Sequence, residues 1–351
     1  MTKRRPTIAD IARRAGVSKG AVSYALNDRP GVSPVTRAEI KKIAREIGWR
    51  PNSAARALTR ARADAVGLVL SRPARVLGSE PFFMELISGM EDELAARGKA
   101  LTLQVVGDPA QEIEIYGRWW GEGRVDGVFL TDLRAPDPRI ELMGELGLPA
   151  VVVGHPSGAG DLPAVWSDDA AALGETLRYL SALGHRSIAR VAGLPELDHT
   201  GRRDRAHLRV CAELGLDEPI LVHTDYSGEA GAQAVRGLLI GPRRPTAIVF
   251  DNDIMAVAGL SVAQELGVDV PGELSLVAWD DSQLTQVVRP PLTALNRDIP
   301  AYGTHAARTL LTLIEEGCAE SVEDTPARLI PRGSTARAHI PSTPPPGAND
   351  S

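Results

Sequence analysis

The sequence predicts a small all-helical head followed by an α/β body of two Rossmann-like lobes. Three observations predict it. The chain has 351 residues, room for two or three domains. Its charge is divided: residues 1–62 hold 15 Lys/Arg against 4 Asp/Glu, a local net of +11, while the remainder carries −17, giving −6 overall. From residue 65 onward, short apolar runs alternate with amphipathic helical segments. A basic head on an acidic body is the pattern of a nucleic-acid-binding module joined to a domain with another task.

The head is read element by element. "TIADIARRAG" opens with Thr7 and places Asp10 three residues later, a helix-start pairing that satisfies free N–H groups. Ile8, Ile11, Ala12 and Ala15 recur at helical spacing, and Gly16 closes the segment. Ser18 then caps a second short helix. Ala21, Val22, Ala25 and Leu26 fall on one arc of it, and Lys19, Gly20, Ser23, Tyr24 and Asn27 on the other. Two short helices joined by a tight turn form a helix-turn-helix, whose second helix fits the major groove of DNA. A solvated face is the competing reading, but Gly20 and Tyr24 serve solubility poorly. Ser33 and Pro34 start a third helix, with Ile40, Ile43 and Ile47 on one side and Gly48 at its end.

Residues 50–62, "RPNSAARALTRAR", follow. Pro51 breaks the chain, Asn52 or Ser53 can cap a short helix, and Ala54, Ala55, Ala57 and Leu58 are its few apolar residues. So little apolar surface leaves an isolated helix frayed, so it orders only against a partner. The competing reading is a basic linker.

At this point the chain resembles the LacI/GalR family of bacterial repressors, on "TIADIARRAGVSKGAVSYALNDRPGVSPVTRAEI" followed by "GWRPNSAARAL". The resemblance implies a homodimer on double-stranded operator DNA. It implies DNA contacts from Thr7, Ser18, Lys19, Gly20, Ser23, Tyr24 and Asn27, and from the hinge residues Arg50, Asn52, Ala55 and Leu58. Leu58 takes the place of a leucine that wedges into the central base step. At the position of Tyr24 the family most often has arginine.

The body resembles the periplasmic-binding-protein-like fold of the same family. "AVGLVLS", "ALTLQVV", "VDGVFL" and "AVVVG" read as buried parallel strands of one lobe, and "SIARVAG", "PILVH", "TAIVFD" and "LSLVAW" as those of the other. The expected division is a head at 1–49, a hinge at 50–62 and an effector-binding domain at 63–340. Its lobes are expected at 63–163 plus 292–322 and at 164–291 plus 323–340, with a disordered tail at 341–351.

Ligands of open α/β sheets bind beyond the carboxyl ends of the strands. Matching the family's motifs residue by residue implies an effector site of Arg203 in "HTGRRDRAHL", Asp253 in "DNDIMA", Asp280 in "AWDDS" and Tyr226 in "HTDYSGEAG". The Gly-aromatic pair the family has after the arginine is Ala206-His207 here, which keeps Arg205 as a rival. Phe82 and Phe83 are candidates for the opposite wall or for core. His155 and Trp166 lie near a strand end and the lobe crossover. An Arg with two Asp and aromatics suits a small polar ligand, a sugar before a nucleobase.

Other classes find little support. No dinucleotide fingerprint, P-loop, G-x-S-x-G or H-E-x-x-H is present, so the reading includes no enzyme activity, catalytic residue or cofactor. Asp251, Asp253, Asp280 and Asp281 do not amount to a metal set by sequence. Cys211 and Cys318 read as structural thiols of a cytoplasmic protein that works on the nucleoid. No run of residues is apolar enough for a membrane span. A solute-binding protein of the same body fold is the alternative, opposed by the basic head.

Overall fold

A computed structural model describes residues 6–49, 62–78 and 80–338. It divides into two compact units, residues 1–63 and 64–351. The expected hinge positions Arg50, Asn52, Ala55 and Leu58, and the expected tail at 341–351, lie outside the described residues.

The head consists of α1 (Ile8–Ala15), α2 (Lys19–Leu26) and α3 (Pro34–Glu46). The Asp10 carboxylate accepts from the Thr7 N–H at 2.9 Å and from its hydroxyl at 2.7 Å, which fixes the entry to α1. Gly16, at φ +65°, ends it in the left-handed conformation that glycine adopts without penalty. Ser18 Oγ accepts from Ala21 N–H at 3.1 Å and so starts α2. Ser33 does the same for α3, with Pro34 in the first turn. Ile11, Val22, Ala25, Ile40 and Ile43 form the small core between the three helices.

In the body, β1 (Ala65–Ser71) leads through the turn α4 (Ala74–Leu77) into α5 (Pro81–Ala96). Then come β2 (Ala100–Val106), α6 (Pro109–Gly121), β3 (Val128–Leu130), α7 (Pro138–Leu146), β4 (Ala150–Val153) and β5 (Ala164–Trp166). The chain continues through α8 (Asp169–Ala182), β6 (Ile188–Ala192), α9 (Asp198–Glu213), β7 (Ile220–His223), α10 (Gly228–Ile240) and β8 (Ala247–Phe250). Next are α11 (Asp253–Glu265), β9 (Ser275–Trp279), α12 (Gln283–Val287) and β10 (Thr293–Asn296). The last elements are α13 (Ile299–Glu316), β11 (Val322–Glu323) and β12 (Arg328–Ile330).

Two six-stranded sheets result, in the orders β11-β5-β4-β3-β1-β2 and β12-β10-β9-β8-β6-β7. Every pairing is parallel except β10 with β12. β3, β4, β8 and β9 are buried along their whole length, which is why they read as unbroken apolar runs. Asp-Pro steps start α6 and α7: Asp108 and Asp137 accept from the N–H two residues on, and the proline occupies the first turn. Helices α5 and α13 pack closely over the first sheet. Gly89 permits this, since a Cβ there would collide with the backbone of Pro300.

The sheets correct the expected lobe boundaries. β5, assigned by sequence to the second lobe, pairs with β4 in the first sheet. β10, assigned to the first, pairs with β9 in the second. Each strand finishes its own sheet before the chain crosses, so the crossovers follow Trp166, Asn296 and Glu323.

Candidate functional site

On the head, α2 presents Lys19, Gly20, Tyr24 and Asn27 to the surface and Ser23 in part, while Val22 and Ala25 are buried. Tyr24 is 46% exposed, and its ring lies against Gly31, whose φ of +106° excludes a side chain. Asn27 Nδ2 donates to the Ser23 carbonyl at 2.9 Å. Behind this face, Arg37 and Lys41 of α3 hold Asp28 at 3.0 and 2.7 Å, which anchors the loop leaving α2. Thr7 and Ser18 serve first as caps. The result is a short helix with an open polar face on a fixed support, the shape that enters a DNA groove.

In the body, the carboxyl ends of the two sheets face a cleft of about 800 Å³, its open mouth included. From the first lobe, Arg72 follows β1, Asp132 follows β3 and His155 follows β4, while Phe82, Phe83 and Tyr302 come from α5 and α13. From the second lobe, His199 and Arg203 come from α9; Tyr226, Asp251 and Asp280 follow β7, β8 and β9. Arg297 lies on the crossover after β10.

Of the residues expected from sequence, the cleft gathers Phe82, Phe83, His155, Arg203, Tyr226 and Asp280. Arg203 is buried and Arg205 is exposed, which removes the rival. Phe83 is also core, 2% exposed. Trp166 does not line the cleft; its ring stands edge-on to His155 at 4.4 Å and supports it. Asp253 borders a smaller neighbouring cavity instead. Tyr226 lines the cleft, but Arg72 already covers its ring at 4.5 Å, so that face is not open for a ligand to stack on.

Salt bridges set the floor. Arg203 pairs with Asp169 at 2.6 Å and stacks on Trp279 at 3.6 Å. Arg190 grips both oxygens of Asp251, at 2.8 and 2.7 Å, and the Gly193 N–H adds a third bond at 3.1 Å. Burial alone would raise the Asp251 pKa, but Arg190 and Arg203 hold it at about 2. Asp132 is likewise held at about 2 against burial by Arg72, which bonds it at 2.8 Å. His199 is pushed by burial and then by Arg203 to about 4, so it is neutral and shares a 2.7 Å hydrogen bond with Tyr226 Oη.

Two carboxyls behave differently. Burial pushes Glu80 up to about 7 in spite of Arg72, and Asp280 up to about 6 in spite of Arg297 and Arg203. Glu80 Oε2, Arg72 Nη1, Asp280 Oδ1 and Arg297 Nε are buried with no hydrogen-bond partner among the described residues. Native proteins leave few buried polar groups unpaired, so these point to a ligand that both donates and accepts. Backbone strain collects here too. Of five non-glycine residues at φ between +50° and +68° among the described residues, Asp132, Tyr226 and Asp280 line the cleft.

Sequence reasoning missed Arg72, Glu80, Asp132, Asp169, His199, Asp251 and Arg297. The strand-end rule applied to His155 and Asp280 would have found Arg72, Asp132 and Asp251, which follow their strands within two residues.

Among the described residues no helix is long and apolar enough to cross a membrane. Residues 7–52 match the model for bacterial regulatory proteins of the lacI family, and residues 177–335 match that for a periplasmic binding protein-like domain. The HTH-type transcriptional regulator CelR of Thermobifida fusca is 32% identical over 91% of this chain and 95% of its own length. A solved LacI family transcriptional regulator from Bifidobacterium animalis is 42% identical, covers 79% of this chain and all of that one, and superposes with a TM-score of 0.74. A solved complex of the transcriptional regulator CelR with cellobiose is 30% identical over 94% of this chain and all of that one, with a TM-score of 0.72. Relatives this similar along nearly the whole chain show that the protein belongs to the lacI family and is an effector-responsive, sequence-specific DNA-binding transcriptional regulator.

Proposed function

We propose that the protein represses transcription as a homodimer on a pseudo-palindromic operator, and that a neutral sugar in the interlobe cleft sets its affinity for that DNA. The observation that carries the sugar is a set of buried donors and acceptors without hydrogen bonds among the described residues, Arg72 Nη1 and Glu80 Oε2 together with Arg297 Nε and Asp280 Oδ1, an ion pair 3.7 Å apart. Arg and Asp side by side bond adjacent hydroxyls in pairs, and Phe82, with the Arg297 guanidinium 5.0 Å from its ring centre, adds apolar lining. The similarity to a regulator solved with cellobiose supports the same class. Leu103 and Val105, two residues apart and exposed on the edge strand β2, offer apolar surface to a second copy of the chain. Effector bound between the lobes changes their closure, and hence the separation of the two heads on DNA. The protein would act in the cytoplasm, on the nucleoid.

A thermal-shift panel of sugars, nucleobases and nucleosides tests the reading, followed by operator binding with and without each hit. A sugar should raise the melting temperature and alter operator affinity at least tenfold. A purine or nucleoside doing so while no sugar does would overturn the sugar assignment.

A further inference from the structure

At the amino ends of the first lobe's strands, opposite the cleft, three charged side chains meet where the chain enters β1. Asp64 stands just before β1, Lys99 just before β2 and Asp126 two residues before β3. The Lys99 ammonium is 2.9 Å from the Asp64 carboxylate and 3.6 Å from that of Asp126. The Asp64 N–H donates to Asp126 Oδ2 at 2.9 Å, and its carbonyl accepts from the Ala100 N–H at 3.0 Å. The side chains of Lys99 and Asp126 are 11% and 8% exposed, so salt screens these contacts little. Asp64 is also held at φ +54°, in the left-handed region that a residue other than glycine keeps only where its surroundings impose it.

Three elements join this cluster to the cleft. β1 leads from Asp64 to Arg72, and β3 from Asp126 to Asp132. α5 starts beside the cleft residues Glu80 and Phe82 and ends in the turn that bears Lys99, whose N–H donates to the Leu94 carbonyl at 2.9 Å. The two strands are parallel neighbours tied at both ends, by Arg72 to Asp132 at 2.8 Å in the cleft and by Asp64 to Asp126 at the far end. β1 is buried over its five middle residues and spans about 25 Å from Asp64 to Arg72. Packed interiors compress little, so a displacement at Arg72 arrives at Asp64 instead of being absorbed on the way.

We infer that Asp64, Lys99 and Asp126 are positioning residues for operator binding: they clamp the start of β1, so that a turn of the first lobe is handed on to residues 50–62. This rests on the reading of residues 50–62 as a segment that orders on operator DNA, and adds the point on the body that holds it. Without the clamp the backbone is free to turn at Asp64, and more of the operator-binding free energy goes into ordering the segment. Random DNA, which does not order the segment, is bound as before. A cluster that served stability alone would leave the preference for operator over random DNA unchanged.

Fluorescence anisotropy on the full chain tests this, with an operator duplex selected from randomised half-sites and a random duplex. Lys99→Met keeps the apolar stem and removes the charge. It should lower operator affinity by about fivefold or more and random-DNA affinity by less than about twofold. Asp64→Gly, which adopts the left-handed backbone without penalty, should do the same. Lys99→Arg should stay within about twofold of the wild type on both duplexes, and the double variant Lys99→Met/Asp64→Gly should lose no more than the larger single loss. Should Lys99→Met melt far below the wild type, Asp64→Gly and Lys99→Arg carry the test. An operator loss below fivefold in either folded variant, equal losses on the two duplexes, or a loss in Lys99→Arg as large as in Lys99→Met would overturn the clamp. Leu58→Ala, measured alongside, separates the two readings. An operator-specific loss there without one in Lys99→Met strikes the clamp alone, whereas no such loss in either strikes the hinge reading with it.

Discussion

Glu80 shows what one side chain in this cleft does to the whole protein. It stands at the N-cap of α5 without making a cap bond, 8% exposed, with Oε2 unpaired among the described residues. Burial lifts its pKa from an ordinary carboxyl value to about 7. Between about pH 4.5 and 7 the folded state therefore binds more protons than the unfolded state, and stability falls as pH rises through that window. Glu80→Gln removes this dependence. Without ligand, the variant should melt above the wild type at pH 8, by about 1–3 kcal/mol of stability, and close to it at pH 5. The same difference at both pH values would show that Glu80 is not the titrating group. Such a residue is invisible to sequence matching. Arg203 and Asp280 stand in motifs, whereas Glu80, Arg72 and Arg297 are single polar letters whose meeting depends on how two sheets face each other.

At the scale of elements, the pattern in the sequence is legible where burial is one-sided or complete. α2 keeps its apolar arc, with Val22 and Ala25 buried, because a helix spaces side chains by 100° and only one arc meets α1 and α3. β4 and β8 read as "AVVV" and "AIVF" because both faces are covered. The lobe crossovers are not legible in the sequence because the strands beside them are two to four residues long, too short to carry a periodicity. α2 also carries its own prediction. Tyr24 is supported by Gly31 and exposed, so it can lay its ring on a thymine methyl and make one hydrogen bond, but it cannot bond guanine twice as arginine does. Site selection from randomised half-sites should therefore enrich T·A opposite Tyr24 in the wild type. It should enrich guanine there in Tyr24→Arg, with a preference of about 1–3 kcal/mol. The same base at every position for both proteins would show that Tyr24 does not read DNA.

At the scale of the molecule, the body is two sheets joined by three crossings, and the residues at two of those crossings, Ser167 and Arg297, line the cleft itself. A ligand that bonds both lobes therefore acts on the connections about which they turn, and its free energy is available to bias one closure over another. That bias has to reach DNA through residues 50–62, whose only large aliphatic side chain is Leu58. We propose that, with so little apolar sequence, the segment takes its order from a partner. Operator DNA that accepts a wedge at its central step supplies such a partner, and random DNA does not. Leu58→Ala should thus lower operator affinity by about tenfold or more, the worth of one buried leucine side chain, with random-DNA affinity unchanged. It should also blunt the effector: a sugar that shifts operator affinity tenfold in the wild type should shift the variant's by less than threefold, because the ordered hinge is the state the two sites share. Fluorescence anisotropy on operator and random duplexes, each with and without sugar, reads all four affinities. Equal losses on both duplexes, or an undiminished sugar response in Leu58→Ala, would assign the coupling to some route other than the hinge.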